Sequence, residues 1–135
     1  MGKIIQEKKM NELLAQFENQ EYLNLQTFRL DGQSVNTPVW FILKGEIIYI
    51  RTIATSSKVK RIHNNNRVKI MPCGSRGEPM GSWVGALASE MNDADTYSKM
   101  TVWLAEKYGN QPAVFKTQAA ARGEKYTVIE ITLKR

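Results

Sequence analysis

The chain has 135 residues, 42% hydrophobic and 24% charged, with 19 Lys and Arg against 13 Asp and Glu for a net charge of +6. This apolar content with so modest a charge excludes a disordered chain, and the longest purely apolar run, Val39 to Leu43, is far too short for a membrane-spanning helix. One domain over residues 1–135 is expected, large enough to bury roughly two thirds of the surface its unfolded chain exposes.

In chain order, Lys9 to Gln20 reads as an amphipathic helix, because Met10, Leu13, Leu14 and Phe17 recur at three- and four-residue spacing. Tyr22 to Leu30 reads as a strand ending in the hairpin dipeptide Asp31-Gly32. Ser34 to Leu43 and Ile47 to Ile53 complete a meander. Both are apolar on nearly every residue, so they call for cover on both faces, by a closed barrel and a partner subunit. Ser56-Ser57 offers cap oxygens to a short helix, Lys58 to Asn65, ended by a left-handed Asn in the run Asn64-Asn65-Asn66. Arg67 to Cys73 is a fourth strand, Gly74 to Gly81 a loop and Trp83 to Met91 a fifth strand. Asn92 or Asp93 then caps a helix to Lys107 or Tyr108, Gln111 to Ala121 forms another helix, and Tyr126 to Leu133 is the closing strand. The pattern predicts a mostly β, α+β fold: a six-stranded antiparallel barrel with peripheral helices.

The charge is not spread evenly. No acidic residue lies between Glu46 and Glu78, yet Arg51, Lys58, Lys60, Arg61, Arg67, Lys69 and Arg76 do, so that segment carries +7 and the rest of the chain −1. Lys58 and Arg61 sit in the first turn of a helix capped at Ser57, where free backbone amides and two cations suit a phosphate or carboxylate; Arg51 is close enough in sequence to join them. A solvated helix face with Val59 and Ile62 inward is the bland alternative, and the missing acids weigh against it. Pro38 belongs at a strand edge, since it lacks the amide a central strand needs. Thr37, Val39 and Trp40 flank that edge, where a planar ring could lie against apolar walls.

Other candidates are weaker. The single Cys73 reads as a buried inert thiol and the single His63 as a solvated or capping residue, and the two give no metal set. No acid and base pair emerges, so if the chain is an enzyme a cofactor supplies the chemistry.

The stretch from Tyr22 to Phe41, then Tyr49-Ile-Arg-Thr52 and Ser57-Lys-Val-Lys-Arg-Ile62, resembles the flavin and deazaflavin split-barrel superfamily, pyridoxamine 5'-phosphate oxidase-like. Arg67-Val68, Pro72-Cys73, Arg76-Gly77 and Gly81 with Trp83 follow the same pattern, and the closest resemblance is to its small single-domain branch that uses coenzyme F420. The resemblance implies a split barrel that forms a homodimer, with two cofactors in grooves between the subunits. It implies that Arg51, Thr52, Ser57, Lys58 and Arg61 hold the cofactor phosphate and that the ring lies along Thr37, Pro38, Val39 and Trp40, with Ser75 closing one side. Lys60, Arg67 and Arg76 are available for the acidic tail of F420, which favours F420 over FMN. The function implied is hydride transfer to a small electron-poor acceptor, with a proton from solvent or from Tyr126. The ending Thr132-Leu133-Lys134-Arg135 lacks the substrate-phosphate arginines of true pyridoxamine phosphate oxidases.

Two other readings stay open. A basic barrel could hold single-stranded nucleic acid on Phe28, Trp40, Tyr49 and Trp83, although these aromatics sit in apolar runs that read as core. Haem is the other, and one histidine supports it poorly. The Met1–Glu7 start carries no secretion, import or myristoylation signal, so the cytoplasm is the expected location and no membrane partner is expected.

Overall fold

The computed structural model describes residues 2–133, with side chains from Lys8 onward. Readings drawn from the Met1–Glu7 start and from Lys134 and Arg135 fall outside those side chains. The elements are α1 (Gly2–Ala15), β1 (Tyr22–Phe28), β2 (Ser34–Trp40), β3 (Ile42–Lys44), β4 (Ile47–Ile53), α2 (Ser57–Asn64), β5 (Arg67–Cys73), β6 (Val84–Met91), α3 (Ala94–Tyr108), α4 (Gln111–Ala121) and β7 (Tyr126–Leu133).

The seven strands make one antiparallel sheet in the order β2-β1-β5-β6-β7-β4-β3. This corrects the expectation of six strands in a closed barrel. The run 34–43 is broken at Phe41, so that β2 pairs with β1 while β3 pairs with β4. The sheet is therefore open in its hydrogen bonding. Its two edge strands are separated by one residue of chain, which bends the sheet back on itself.

Alternation along the strands sorts the core into two clusters. Leu23 and Leu25 of β1, Ile48 and Ile50 of β4, Ile70 of β5 and Ile129 and Ile131 of β7 form the first, closed by Met10, Leu14 and Phe17 of the N-terminal segment and by Val59 and Ile62 of α2. The second lies on the other face, where Met100 and Leu104 of α3 cover Ile42 and Val128. Of the two nearly continuous apolar runs, 47–53 becomes β4 and has cover on both faces within the chain, whereas 34–40 becomes β2 at the edge of the sheet and is only partly buried. Phe17 meets Phe41 edge to face, with centroids 6.0 Å apart, a geometry worth about 0.5–1.5 kcal/mol beyond its burial.

Turn chemistry fixes the hairpin between β1 and β2. Gly32 takes φ +88, which an L side chain adopts only with strain, and the Asp31 carboxylate accepts the Gln33 N–H at 3.0 Å. Three local expectations differ. The first helix ends at Ala15, and residues 16–19 form turns. Ser56, not Ser57, is the N-cap of α2. Asn65 ends that helix in an extended conformation, φ −147, because the chain runs straight into β5. Among the described residues no helix is long and apolar enough to cross a membrane.

Candidate functional site

Strand β4 and helix α2 are joined by the three residues Ala54 to Ser56, so the start of α2 lies against the end of β4. Along β4, Ile48, Ile50 and Thr52 face the inner cluster, while Tyr49 and Arg51 face the other way. Lys58 Nζ donates to Thr52 Oγ1 at 3.1 Å. Three residues on, Arg61 Nε donates to Thr27 Oγ1 of β1 at 2.7 Å. Both acceptor threonines are buried. The first turns of α2 thus bridge β1 and β4 through two cations that point inward.

Neither cation has an acidic partner among the described residues. The ion pairs among the described residues join Lys99 to Asp95 and Arg122 to Glu124, and Glu90 is hydrogen-bonded to His63. Burial pushes the Lys58 ammonium below its ordinary range, and neighbouring Arg61 pushes it further. Burial followed by Arg29 does the same to Arg61. A cation held in this way gains from any anion that reaches it. Ser56 Oγ is buried without a hydrogen-bond partner and does not cap the helix, so the first amides of α2 have no side-chain acceptor. Beside this helix start, a groove of about 420 Å³ is lined by Arg61 itself with Phe28, Arg29, Leu30, Ser57, Lys60 and Asn64, and by one carboxylate, Asp31.

The residues singled out in the sequence fall into three groups. Thr52, Ser57, Lys58 and Arg61 come together at the start of α2. Arg51, although next to Thr52, points to the opposite face; it donates to the Pro112 carbonyl at 2.8 Å and lies 4.4 Å over the Tyr126 ring. With Trp40, Leu104 and Phe115 these two line a small cavity of about 60 Å³. Trp40 itself is stacked on Tyr108, with centroids 4.4 Å apart and planes at 15°.

The third group is the middle of β2, an edge strand as Pro38 requires. Pro38 stands opposite Asn24, whose amide donates to the Gly77 carbonyl at 3.0 Å. Gly77 has φ +85, and a Cβ there would stand 3.6 Å from Pro38 Cγ, so the loop 74–81 closes over β2 through this glycine. Ser75 is exposed at the turn before it. Thr37 and Val39 are partly buried, and Val39 packs on the inner cluster.

Of the proposed tail cations, only Lys60 lines the groove. Arg67 opens β5, whereas Arg76 lies in the loop past its far end, with roughly 20 Å of strand between them. Arg29 takes a place there instead. Sequence reasoning missed it because it lies outside the acid-free segment, across the β1–β2 hairpin. Cys73 is buried, and burial together with Glu78 raises its thiol above the ordinary range, as an inert thiol requires. His63 contacts Glu90 at 2.7 Å. Among the described residues no cluster of His, Cys, Asp and Glu could hold a metal ion.

Solved structures share this fold. HutZ, the heme storage protein from Vibrio cholerae, superposes with a TM-score of 0.69 at 14% identity, covering 92% of this chain and 89% of its own. General stress protein 26 from Bacillus anthracis gives 0.61 at 21% identity, covering 93% and 88%. An F420 reductase gives 0.59 at 15%, covering 90% and 93%. At such identities the likeness is one of fold. No curated protein matches the sequence. The family model of pyridoxamine 5'-phosphate oxidase, however, matches residues 9–135, nearly the whole chain. On that match, and with this fold, the chain belongs to the pyridoxamine 5'-phosphate oxidase family.

Proposed function

We propose that the protein is an oxidoreductase that binds coenzyme F420 and delivers a hydride to a small electron-poor acceptor, with FMN as the alternative cofactor. The observation that carries this reading is the start of α2, where, among the described residues, Lys58 and Arg61 have no acidic partner and Ser56 Oγ has no hydrogen-bond partner. These groups fit a phosphate: two cations, a free hydroxyl and an uncapped helix terminus.

When bound, the cofactor would supply the hydride chemistry. Lys58, Arg61, Ser56 and the Ser57 amide would hold its phosphate, with Thr52 and Thr27 orienting the two cations. Thr37, Pro38, Val39 and Trp40 would carry the ring along the open edge of β2. The adjoining Arg29 and Lys60 suit an acidic tail, which favours F420. The homodimer, with a cofactor between subunits, belongs to the same reading; exposed Met80, Trp83 and Leu87 give it apolar surface. The nucleic-acid reading loses support, because Trp40 stacks on Tyr108 and Tyr49 packs against Trp103 inside the chain instead of standing free for a base.

The test is a fluorescence titration of purified protein with F420 and with FMN. Micromolar or tighter binding of one supports the proposal, and binding of neither overturns it.

A further inference from the structure

The break between β2 and β3 leaves the Phe41 peptide outside the ladder, and a buried peptide without partners is costly. Phe41 is fully buried, and its partners come from the last turn of α3. The Tyr108 hydroxyl accepts the Phe41 N–H at 3.0 Å. It also lies 3.1 Å from the Phe41 carbonyl and 2.7 Å from the Glu21 carbonyl, between which its one proton is shared. Lys107 Nζ donates to the Phe41 carbonyl at 2.9 Å and rests 3.7 Å from the centre of the Phe41 ring. The Tyr108 ring meanwhile stacks on Trp40, the last residue of β2. Two side chains therefore hold the backbone and the terminal side chain of β2 at one point.

We propose that Tyr108 and Lys107 are positioning residues for the cofactor ring: by pinning the Phe41 peptide and the Trp40 ring they set the course of the β2 edge on which that ring lies. The proposal rests on the reading of β2 as the ring-bearing strand. It separates two tasks spatially. The phosphate is held at α2, and the line of the ring is set from the end of α3, with no residue shared between them. Loosening the clamp thus affects contacts to the ring and spares those to the phosphate.

Two variants test this. Tyr108→Phe keeps the stacked ring and removes the hydroxyl; Lys107→Met keeps the stem and removes the ammonium, in case the first fails to fold. The first readout needs no cofactor: amide hydrogen exchange should quicken about tenfold or more in residues 34–44 and stay unchanged in β5 and β6. The second is the affinity for whole F420 and FMN, expected to weaken about tenfold with an altered absorption band of the bound cofactor. The affinity for glycerol phosphate, which has no ring, should not change. Unchanged exchange in residues 34–44 overturns the clamp. Faster exchange with unaltered cofactor affinity and spectrum overturns the positioning role. If the wild-type protein binds neither cofactor while exchange still quickens, the reading of the site fails and takes the ring with it, but the clamp on β2 stands.

Discussion

Two lysines in this protein, Lys58 and Lys107, sit where burial lowers their affinity for a proton, and neither has an ion-pair partner among the described residues. Their surroundings differ in what is left over. Around Lys107, which lines a cleft with Glu18, Glu21 and Glu106, a backbone carbonyl accepts from the ammonium, two rings flank it, and the nearby phenol is bonded to backbone. Around Lys58 a hydroxyl is unpartnered, a helix start is uncapped and a second cation, Arg61, is near enough to lower its proton affinity further. A desolvated cation is therefore not in itself a binding site. The unsatisfied neighbours make the difference between one that organises the chain and one that awaits an anion.

The sharpest way to break this comparison is to remove the α2 cations. Charge-assisted contacts are worth about 1.5–3 kcal/mol each, so Lys58→Ala with Arg61→Ala should weaken cofactor binding by about 10²- to 10⁴-fold in a fluorescence titration. Tyr108→Phe strips the Phe41 N–H of its acceptor and should cost about 1–3 kcal/mol, read as a fall of several degrees in Tm. Arg51→Met should lower stability by about 1 kcal/mol through the lost Pro112 bond, yet leave cofactor affinity within about twofold, since Arg51 faces away from α2. Ser56→Ala should leave stability nearly unchanged, because Ser56 Oγ bonds to nothing in the free protein, and should weaken the cofactor several-fold by isothermal titration.

A further effect concerns pH. Burial brings the Lys107 ammonium down to about 8, although the Glu21 carboxylate favours its charged form. Between about pH 8 and the ordinary lysine value of 10.5, the folded chain then binds fewer protons than the unfolded chain. Lys107 therefore adds stability as pH rises through that window. Denaturant melts of Lys107→Met should show that rise flattened relative to the wild type.

Much of the fold follows from local rules. The bounds of β4, β5, α4 and β7 coincide with the runs 47–53, 67–73, 111–121 and 126–133 expected from patterning and punctuation. The break at Phe41 does not, because nothing in the run Val39 to Leu43 marks it; its partners Tyr108 and Lys107 lie 67 and 66 residues further along. Within the site, Lys58 and Arg61 could be found because helical spacing and the missing acids are both local signals. The placement of Arg51 was also within reach, since successive strand residues point to opposite faces and Thr52 and Arg51 cannot share one. Arg29 and Thr27 join only once the β1–β2 hairpin is folded against α2, a long-range arrangement with no trace in composition.

The bent stretch 34–44 has one more consequence, for solubility. A sheet that remains open has two margins, and each is a template on which another molecule can add a strand. Here one stretch supplies both. On the β2 side Pro38 leaves a gap in the row of backbone donors, and on the β3 side only three residues, ending at Lys44, are in register before the turn. Neither margin presents a long uninterrupted row of donors and acceptors. The same bend that brings β2 and β3 within one residue of each other thereby helps protect the sheet from growing, molecule upon molecule, into an aggregate.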